Sequence, residues 1–273
     1  MTSAVFLQIN EEAERMERTY KIMTFNLRVL VPSDPFPWRD RKHWIRETIV
    51  EYQPDVIGLQ ELTPPMLTWL TTEFQTTYEI FPVNRIDSDS EGEFLAILAK
   101  KSSFTMGEKG AFMLSETPND IGSMGWDAHY PRICNWTELH KKETNEPIMT
   151  IFNTHLDHIG QLAREKGLAL IQNMMKNTKL PTLLTGDFNA TPENTALKAV
   201  NGMQSCYSTF TEEQMENSLT FHNYKGGTTG QPIDYIFAGT GTRITQTAII
   251  KNSYDQGYPS DHYPVISTID VTI

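Results

Sequence analysis

Apolar and polar positions alternate along this chain in two periods, and the changes between them mark out its elements. Tyr20 to Leu27 reads as a strand, and Arg41 to Tyr52 places Trp44, Ile45, Ile49 and Tyr52 at helical spacing before Pro54 ends the run. Residues 55–61, DVIGLQE, form the next strand. Pro64 and Pro65 open a helix to about Phe74, since proline is tolerated in a first turn whose amides lack partners. Strands are expected near Tyr78 to Pro82 and Phe94 to Ala99, then a mostly irregular stretch from Phe104 to Tyr130. ICNWTELHKK and PIMTIFNTHL flank a polar turn as a hairpin. A helix over 161–176 turns Leu162, Leu168, Ile171 and Met175 inward, and Lys179 to Asp187 is a strand. IDYIFAG, TRITQTAII and HYPVISTIDV supply the last strands. Strands interleaved with helices, then a strand-rich final third, predict packed sheets covered by helices.

Residues 1–18 form a polar N-terminal extension with no assigned role, and 19–273 a single domain, a size at which one core is readily buried. The net charge of -11 gives no long-range attraction to polyanions, which disfavours extended nucleic acid, although a local basic patch is compatible with it. Cys134 and Cys206 are too few for a disulfide framework and are expected as free thiols. Neither a cleavable leader pattern nor an apolar run of membrane-spanning length is visible, so the expected setting is cytoplasmic, with no membrane span.

What changes the picture is the chemistry at the strand ends. FNLR carries Asn26 and Arg28 past an apolar run, GLQE ends on Gln60 and Glu61, and IFNTHLDH ends on His155, Asp157 and His158. LLTGDFNA ends on Asp187 and Asn189, IDYIF contains Asp234, and SDHYPV contains Asp261 and His262. Singly, such a residue is an ordinary strand terminator or turn former. Together at one rim of the sheets, the carboxylates would repel one another unless a cation sat among them. Carboxylate and carboxamide oxygens suit Mg²⁺ or Mn²⁺. Two histidines then serve as a general base and as a donor to an anionic oxygen. In GDFN, the two-residue spacing would set Asp187 and Asn189 on one side of an extended chain with Phe188 turned into the core, and Gly186 would allow close backbone approach.

FNLR, PDVIGLQE, NTHLDH, TGDFNA, IDYIF and SDHYPV, in that order, resemble the endonuclease/exonuclease/phosphatase superfamily, whose members are DNase I-like and cleave phosphate esters with a divalent metal. The resemblance runs from about Tyr20 to the C-terminus. WRDRK, RIDSDSEGE, LSETP, GWDAHYPRICNW and NTHLDHIGQLAREKG are similar to a bacterial branch that brings no substrate with it. EFLAILAKK departs from that branch, with Leu95 and Ala96 altering the wall beside Glu93.

The resemblance implies a four-layer α/β sandwich, two sheets face to face with helices outside, and a site at one end. It makes Glu61 the principal metal ligand with Asn26 beside it and Asp261 facing the metal. Asp187 would orient the attacking water and Asn189 hold the phosphate. His262 would be the base or the phosphate-polarising histidine, paired with Asp234. His155 would donate to a phosphate oxygen, with Glu93 pairing with it, and Arg132 would contact phosphate.

The expected activity is hydrolysis of a phosphate ester, foremost a phosphodiester, by metal-assisted in-line attack of water. A compact ester, a nucleotide or a single-strand end is the expected substrate, with Arg39, Arg41 and Arg132 neutralising its few phosphates. Extended DNA or RNA and a phospholipid such as sphingomyelin are the alternatives. Trp38, Trp126, Tyr130 and Trp136 read either as base-stacking rings or as loop packing. A binding scaffold would have no physical need for mutually repelling carboxylates. A transition-metal site of His155, Asp157 and His158 is opposed by spacing, because His158 points away from the other two along a strand.

Overall fold

Two mixed sheets of six strands each form the frame of the computed structural model, which describes residues 17–88, 90–255 and 257–272. The first contains β1 (Glu17–Asn26), β2 (Val56–Leu62), β3 (Tyr78–Asn84), β4 (Phe94–Lys100), β11 (Thr242–Ile249) and β12 (Val265–Thr272), in the order β11-β12-β1-β2-β4-β3. The second contains β5 (Phe104–Met113), β6 (Ile133–Lys141), β7 (Pro147–His155), β8 (Thr182–Asp187), β9 (Gln204–Ser205) and β10 (Asp234–Ala238), in the order β5-β6-β7-β8-β10-β9. Helices α1 (Trp38–Tyr52), α2 (Pro64–Phe74), α3 (Gln161–Met175) and the short α4 (Glu212–Glu216) complete it.

Strand alternation builds the layers. On β1, Met23 and Phe25 face Ile45 and Ile49 of α1, in a cluster that also takes Met66, Leu70 and Phe74 of α2. Ile22, one position before Met23 and so on the opposite face, joins Val56 and Ile97 in a cluster shared with the second sheet, where Leu168, Ile171 and Met175 of α3 also pack. The result is the four-layer sandwich implied by the resemblance.

Four expectations change. Phe104–Met113 is a strand, not irregular chain. It lies at a sheet edge, breaks register between Met106 and Lys109, and carries two glycines, which erased its period. Leu162 is not inward but 42% exposed, because it stands one position off the buried stripe of α3, which runs through Ala163, Arg164, Gly167, Leu168, Ile171 and Met175. The extension expected over 1–18 overlaps β1, in which Glu17 pairs with Thr272, and its remainder lies outside the described residues. Arg41, expected at phosphate, is only 1% exposed. Its guanidinium donates to the carbonyls of Leu27, Arg28, Val29 and Pro259, tying α1 to the loops behind the sheet end.

That arrangement makes Arg41 a structural tie. Arg41→Met should lower unfolding free energy by about 2–4 kcal/mol, because it strands several buried carbonyls. Urea unfolding followed by tryptophan fluorescence measures this, and an unchanged midpoint would refute it. No helix of the described residues is long and apolar enough to cross a membrane.

Candidate active site

The site is split between the sheets. Asn26 and Glu61 stand at the ends of β1 and β2, while His155, Asp187 and Asp234 stand on β7, β8 and β10. Parallel pairing sets His155 opposite Asp187, and antiparallel pairing sets Asp234 opposite Asp187 on its other side. Asp261 and His262 arrive on the turn before β12.

Glu61 owes its direction to a break in the strand. Its φ of 62° and a register shift between Leu59 and Leu62 turn the carboxylate toward Asn26, against simple alternation from Gln60. Asn26 Nδ2 then donates to Glu61 Oε1 and to Asp187 Oδ2, both at 2.9 Å, joining the sheets. The Val29 amide donates to Glu61 Oε2 at 3.0 Å. Burial alone would raise the Glu61 carboxyl, but Asn26, the charge of His262, the Val29 amide and Arg28 together hold it below the usual range.

At Asp187, burial and the adjacent Asp234 charge dominate and push its carboxyl above the usual range, although His262 and the Asn189 amide oppose them. Gly186 is obligatory there, since a Cβ would lie 2.3 Å from the Thr154 carbonyl. Phe188 is fully buried as expected. Asn189 departs from the extended geometry expected of GDFN. It takes φ 47° and closes a turn in which its amide donates to Asp187 Oδ1. Its Nδ2 hydrogens face Leu156 O at 3.0 Å and His155 Nε2 at 3.1 Å, so the carboxamide donor expected at phosphate is already engaged.

The two histidines are held in opposite states. Burial lowers His262, yet Asp234 and Asp187 outweigh it and raise the ring to about 10. Its Nδ1 lies 2.9 Å from Asp234 Oδ2, the expected pairing, and its Nε2 lies 3.8 Å from Asp187 Oδ2. His155, lowered by burial and then by Arg132, His262 and Arg85, is a neutral imidazole.

The expected pairing of Glu93 with His155 is corrected. Glu93 pairs with Arg85 at 2.6 Å, and the His155 ring meets Asn189 and Asp187 instead. Asp261 faces Arg28 Nε at 3.5 Å and accepts from Ser260 Oγ. It belongs to neither of the groups of carboxylate and imidazole atoms that lie within 4.8 Å of one another among the described residues, Glu61–His155–Asp187 and Asp187–Asp234–His262. Asp157 is consumed by the amides of His129, Tyr130, Ile159 and Gly160 and by Arg132; burial would raise its carboxyl, but the Gly160 and Ile159 amides, Arg132 and the Tyr130 amide bring it down to about 2. It is therefore no ligand in a His155–Asp157–His158 site.

A cleft of about 400 Å³ opens over these groups, with Glu61, Asp187, Asp261 and His262 in its wall beside Arg28, Arg85 and Arg132. Arg28, a strand-end residue without a role in the sequence reading, and Arg85, not singled out there, are among these cations, while Arg39 is exposed and paired with Asp40. Arg132 is held against Asp157 and His158. Of the aromatics, Tyr130 reaches the cleft, stacked on His158 with Arg85 over its ring, whereas Trp38 packs on Trp69 and Trp136 on Phe152. The carboxylates of the Glu61–His155–Asp187 group suit a hard divalent cation, and the direct contacts of Glu61 are to neutral donors only, Asn26 Nδ2 and the Val29 amide, while Asn26 turns its Oδ1 to the Arg28 amide.

Known proteins share this architecture. An endonuclease/exonuclease/phosphatase family protein of Bacteroides thetaiotaomicron superposes with a TM-score of 0.85 at 29% identity, over 94% of this chain and 100% of its own. A mannosyl-6-phosphatase of the same species superposes at 0.82 with 30% identity, over 92% of this chain and 99% of its own. Nocturnin of Xenopus laevis is 23% identical over 299 residues, covering 94% of this chain and 74% of that protein. The two sheets with flanking helices are the DNase I-like fold of these structures. Residues 23–262 match the sequence profile of the Endonuclease/Exonuclease/phosphatase family, and with the fold and the strand-end site in agreement, the chain belongs to that family.

Proposed function

We propose that this chain hydrolyses a compact phosphate ester with a divalent cation, Mg²⁺ or Mn²⁺. The observation that carries this reading is the mixed charge of the cleft, where Glu61, Asp187 and Asp261 converge beside Arg28, Arg85 and Arg132. Carboxylates alone would repel a phosphate and arginines alone would not hold a cation; the two sets together suit a metal and an anionic ester. When bound, such an ion supplies Lewis acidity at a phosphoryl oxygen.

Glu61 would hold the ion, with Asp261 nearby and paired with Arg28, and Asn26 would join only by turning its Oδ1 from the Arg28 amide. Asp187, more basic than an ordinary carboxylate, orients and deprotonates the attacking water. His262, raised to about 10, keeps both ring protons near neutral pH and so polarises a phosphoryl oxygen through Nε2 rather than acting as a base. Asp234 fixes that ring. Neutral His155 and the arginines, Arg132 among them, complete the phosphate contacts. Asn189 joins them only by exchanging its bond to His155.

A cleft of about 400 Å³ suits a sugar phosphate, a nucleotide or a single-strand end better than a duplex. The mannosyl-6-phosphatase relative places sugar phosphates first in the panel and monoesters beside the expected diesters. The test is turnover of sugar phosphates, mononucleotides, single-stranded DNA and RNA, and sphingomyelin, with Mg²⁺, with Mn²⁺ and with chelator. Metal-dependent release from a small ester is expected, and no turnover of any member with metal would overturn the reading.

Salt adds a second prediction. Few counterions are released when one or two phosphates are neutralised, so the log–log slope of kcat/KM against salt should be no steeper than about 2. Plasmid nicking faster than any small ester, with a steep salt loss, would refute a compact substrate.

A further inference from the structure

Beneath the cleft lies a second polar layer where the interior of a sheet sandwich is ordinarily apolar. Thr24, Gln60, Asn135, Asn153 and Thr185 are all 0% exposed. Their place follows from the pleat. Thr24, Asn153 and Thr185 each precede a site residue by two positions, Asn26, His155 and Asp187, and so share its face about 7 Å deeper.

Asn153 is the hub. Its Nδ2 lies 3.1 Å from Leu59 O, 3.4 Å from Ala96 O and 3.3 Å from Asn135 Oδ1. Its Oδ1 accepts from Gln60 Nε2 at 2.7 Å and from Thr185 Oγ1 at 3.2 Å. Gln60 Nε2 also reaches Thr24 Oγ1 and Gly58 O, and Asn135 Nδ2 reaches Phe81 O. Every one of these groups on β1, β2, β3 and β4 belongs to the first sheet, and Asn135, Asn153 and Thr185 belong to the second. Gly58 makes room for the junction, since a Cβ there would sit 2.2 Å from Thr185 Oγ1 and 2.6 Å from Asn153 Oδ1.

Stability does not account for the layer. Apolar residues of like volume are often as stabilising as a buried polar set or more so, and Gln60 Oε1 is left buried without a partner. Direction is what amides add. Apolar faces tolerate small slips, whereas hydrogen bonds weaken steeply off their distance and angle. Leu59 and Gln60, tied to Asn153, directly precede Glu61, and Gln60 is the register partner of Asn26.

We infer that Asn153, with Gln60 and Thr185, is a positioning device that fixes one sheet against the other so that Glu61 and Asn26 meet Asp187 in cation-binding order. This rests on the metal reading above. The test titrates Mg²⁺ alone into the full chain by calorimetry, with folding checked by circular dichroism. Asn153→Leu should weaken Mg²⁺ about 10- to 100-fold, the range for residues that orient metal ligands. Thr185→Val, which keeps shape and loses the hydroxyl, should weaken it several-fold, while Thr185→Ser stays within about twofold of the parent. Equal Mg²⁺ affinity in Asn153→Leu and Thr185→Val would overturn the inference even if both lower the unfolding midpoint. Should Asn153→Leu fail to fold, the Thr185 pair decides. A parent chain that binds no Mg²⁺ would overturn the metal reading and this inference with it, an outcome visible before any variant is titrated.

Discussion

Glu61→Gln should leave a folded protein whose metal-dependent turnover falls by about 10³-fold, the equivalent of about 4 kcal/mol of lost electrostatic stabilisation. The exchange is nearly isosteric. Glu61 accepts from Asn26 Nδ2 at one oxygen and from the Val29 amide at the other, so glutamine keeps one acceptor and turns an NH₂ toward the other donor. That mismatch costs about 1–3 kcal/mol, a fraction of a typical domain's stability. Among the described residues, the direct partners of the charge it removes are neutral donors, Asn26 Nδ2 and the Val29 amide. Calorimetry should show Mg²⁺ affinity sharply reduced, and raising Mg²⁺ should recover part of the rate, which a misfolded site would not do. Unchanged Mg²⁺ affinity would remove Glu61 from the ligand set.

How far the sequence carries such a prediction depends on the physical quantity involved. Polar residues ending apolar runs are a one-dimensional signal, and Asn26, Glu61, His155, Asp187, Asp234, Asp261 and His262 are all brought to one cleft region as that signal implies. Side-chain direction is not one-dimensional. By alternation Glu61 should point away from Gln60's side, and only its left-handed φ and the local register break turn it to Asn26. Asn189 fails the same assumption in reverse, leaving the strand at once to cap Asp187.

Charge partners were the least legible, because they depend on which loops meet. Glu93 precedes β4 and falls to Arg85 just after β3, its hairpin neighbour across the turn, rather than to His155 of the other sheet. Arg41, on the buried stripe of α1, has its charge spent on carbonyls, an outcome that a count of nearby basic residues cannot foresee. The strand-end carboxylates were readable for the opposite reason, since several independent elements carried the same chemistry to their ends.

The other large effect is expected at Asp234→Asn, and here the roles of the two protons on His262 separate. The substitution keeps volume and keeps an oxygen that can accept from Nδ1, so the fold should survive. What disappears is the first of the three carboxylate charges, those of Asp234, Asp187 and Asp261, that raise His262 to about 10 against its burial. The sign follows from that. His262 stabilises the folded chain below its unfolded value near 6.5, a contribution lost as pH rises through about 10. In the variant this loss should move to lower pH and shrink. Turnover should follow the same proton. The alkaline limb of kcat should shift toward neutrality as the imidazolium is lost earlier, and kcat at neutral pH should fall by about 10²- to 10⁴-fold. Asp187, relieved of the Asp234 charge that helps raise it, should lose basicity, so the acid limb should also move down. KM should change little, because Asp234 is buried behind the ring at 1% exposure. A pH–rate series on parent and variant with one small ester decides it: an unmoved alkaline limb with kcat intact would separate Asp234 from the chemistry and leave its bond to His262 a matter of packing.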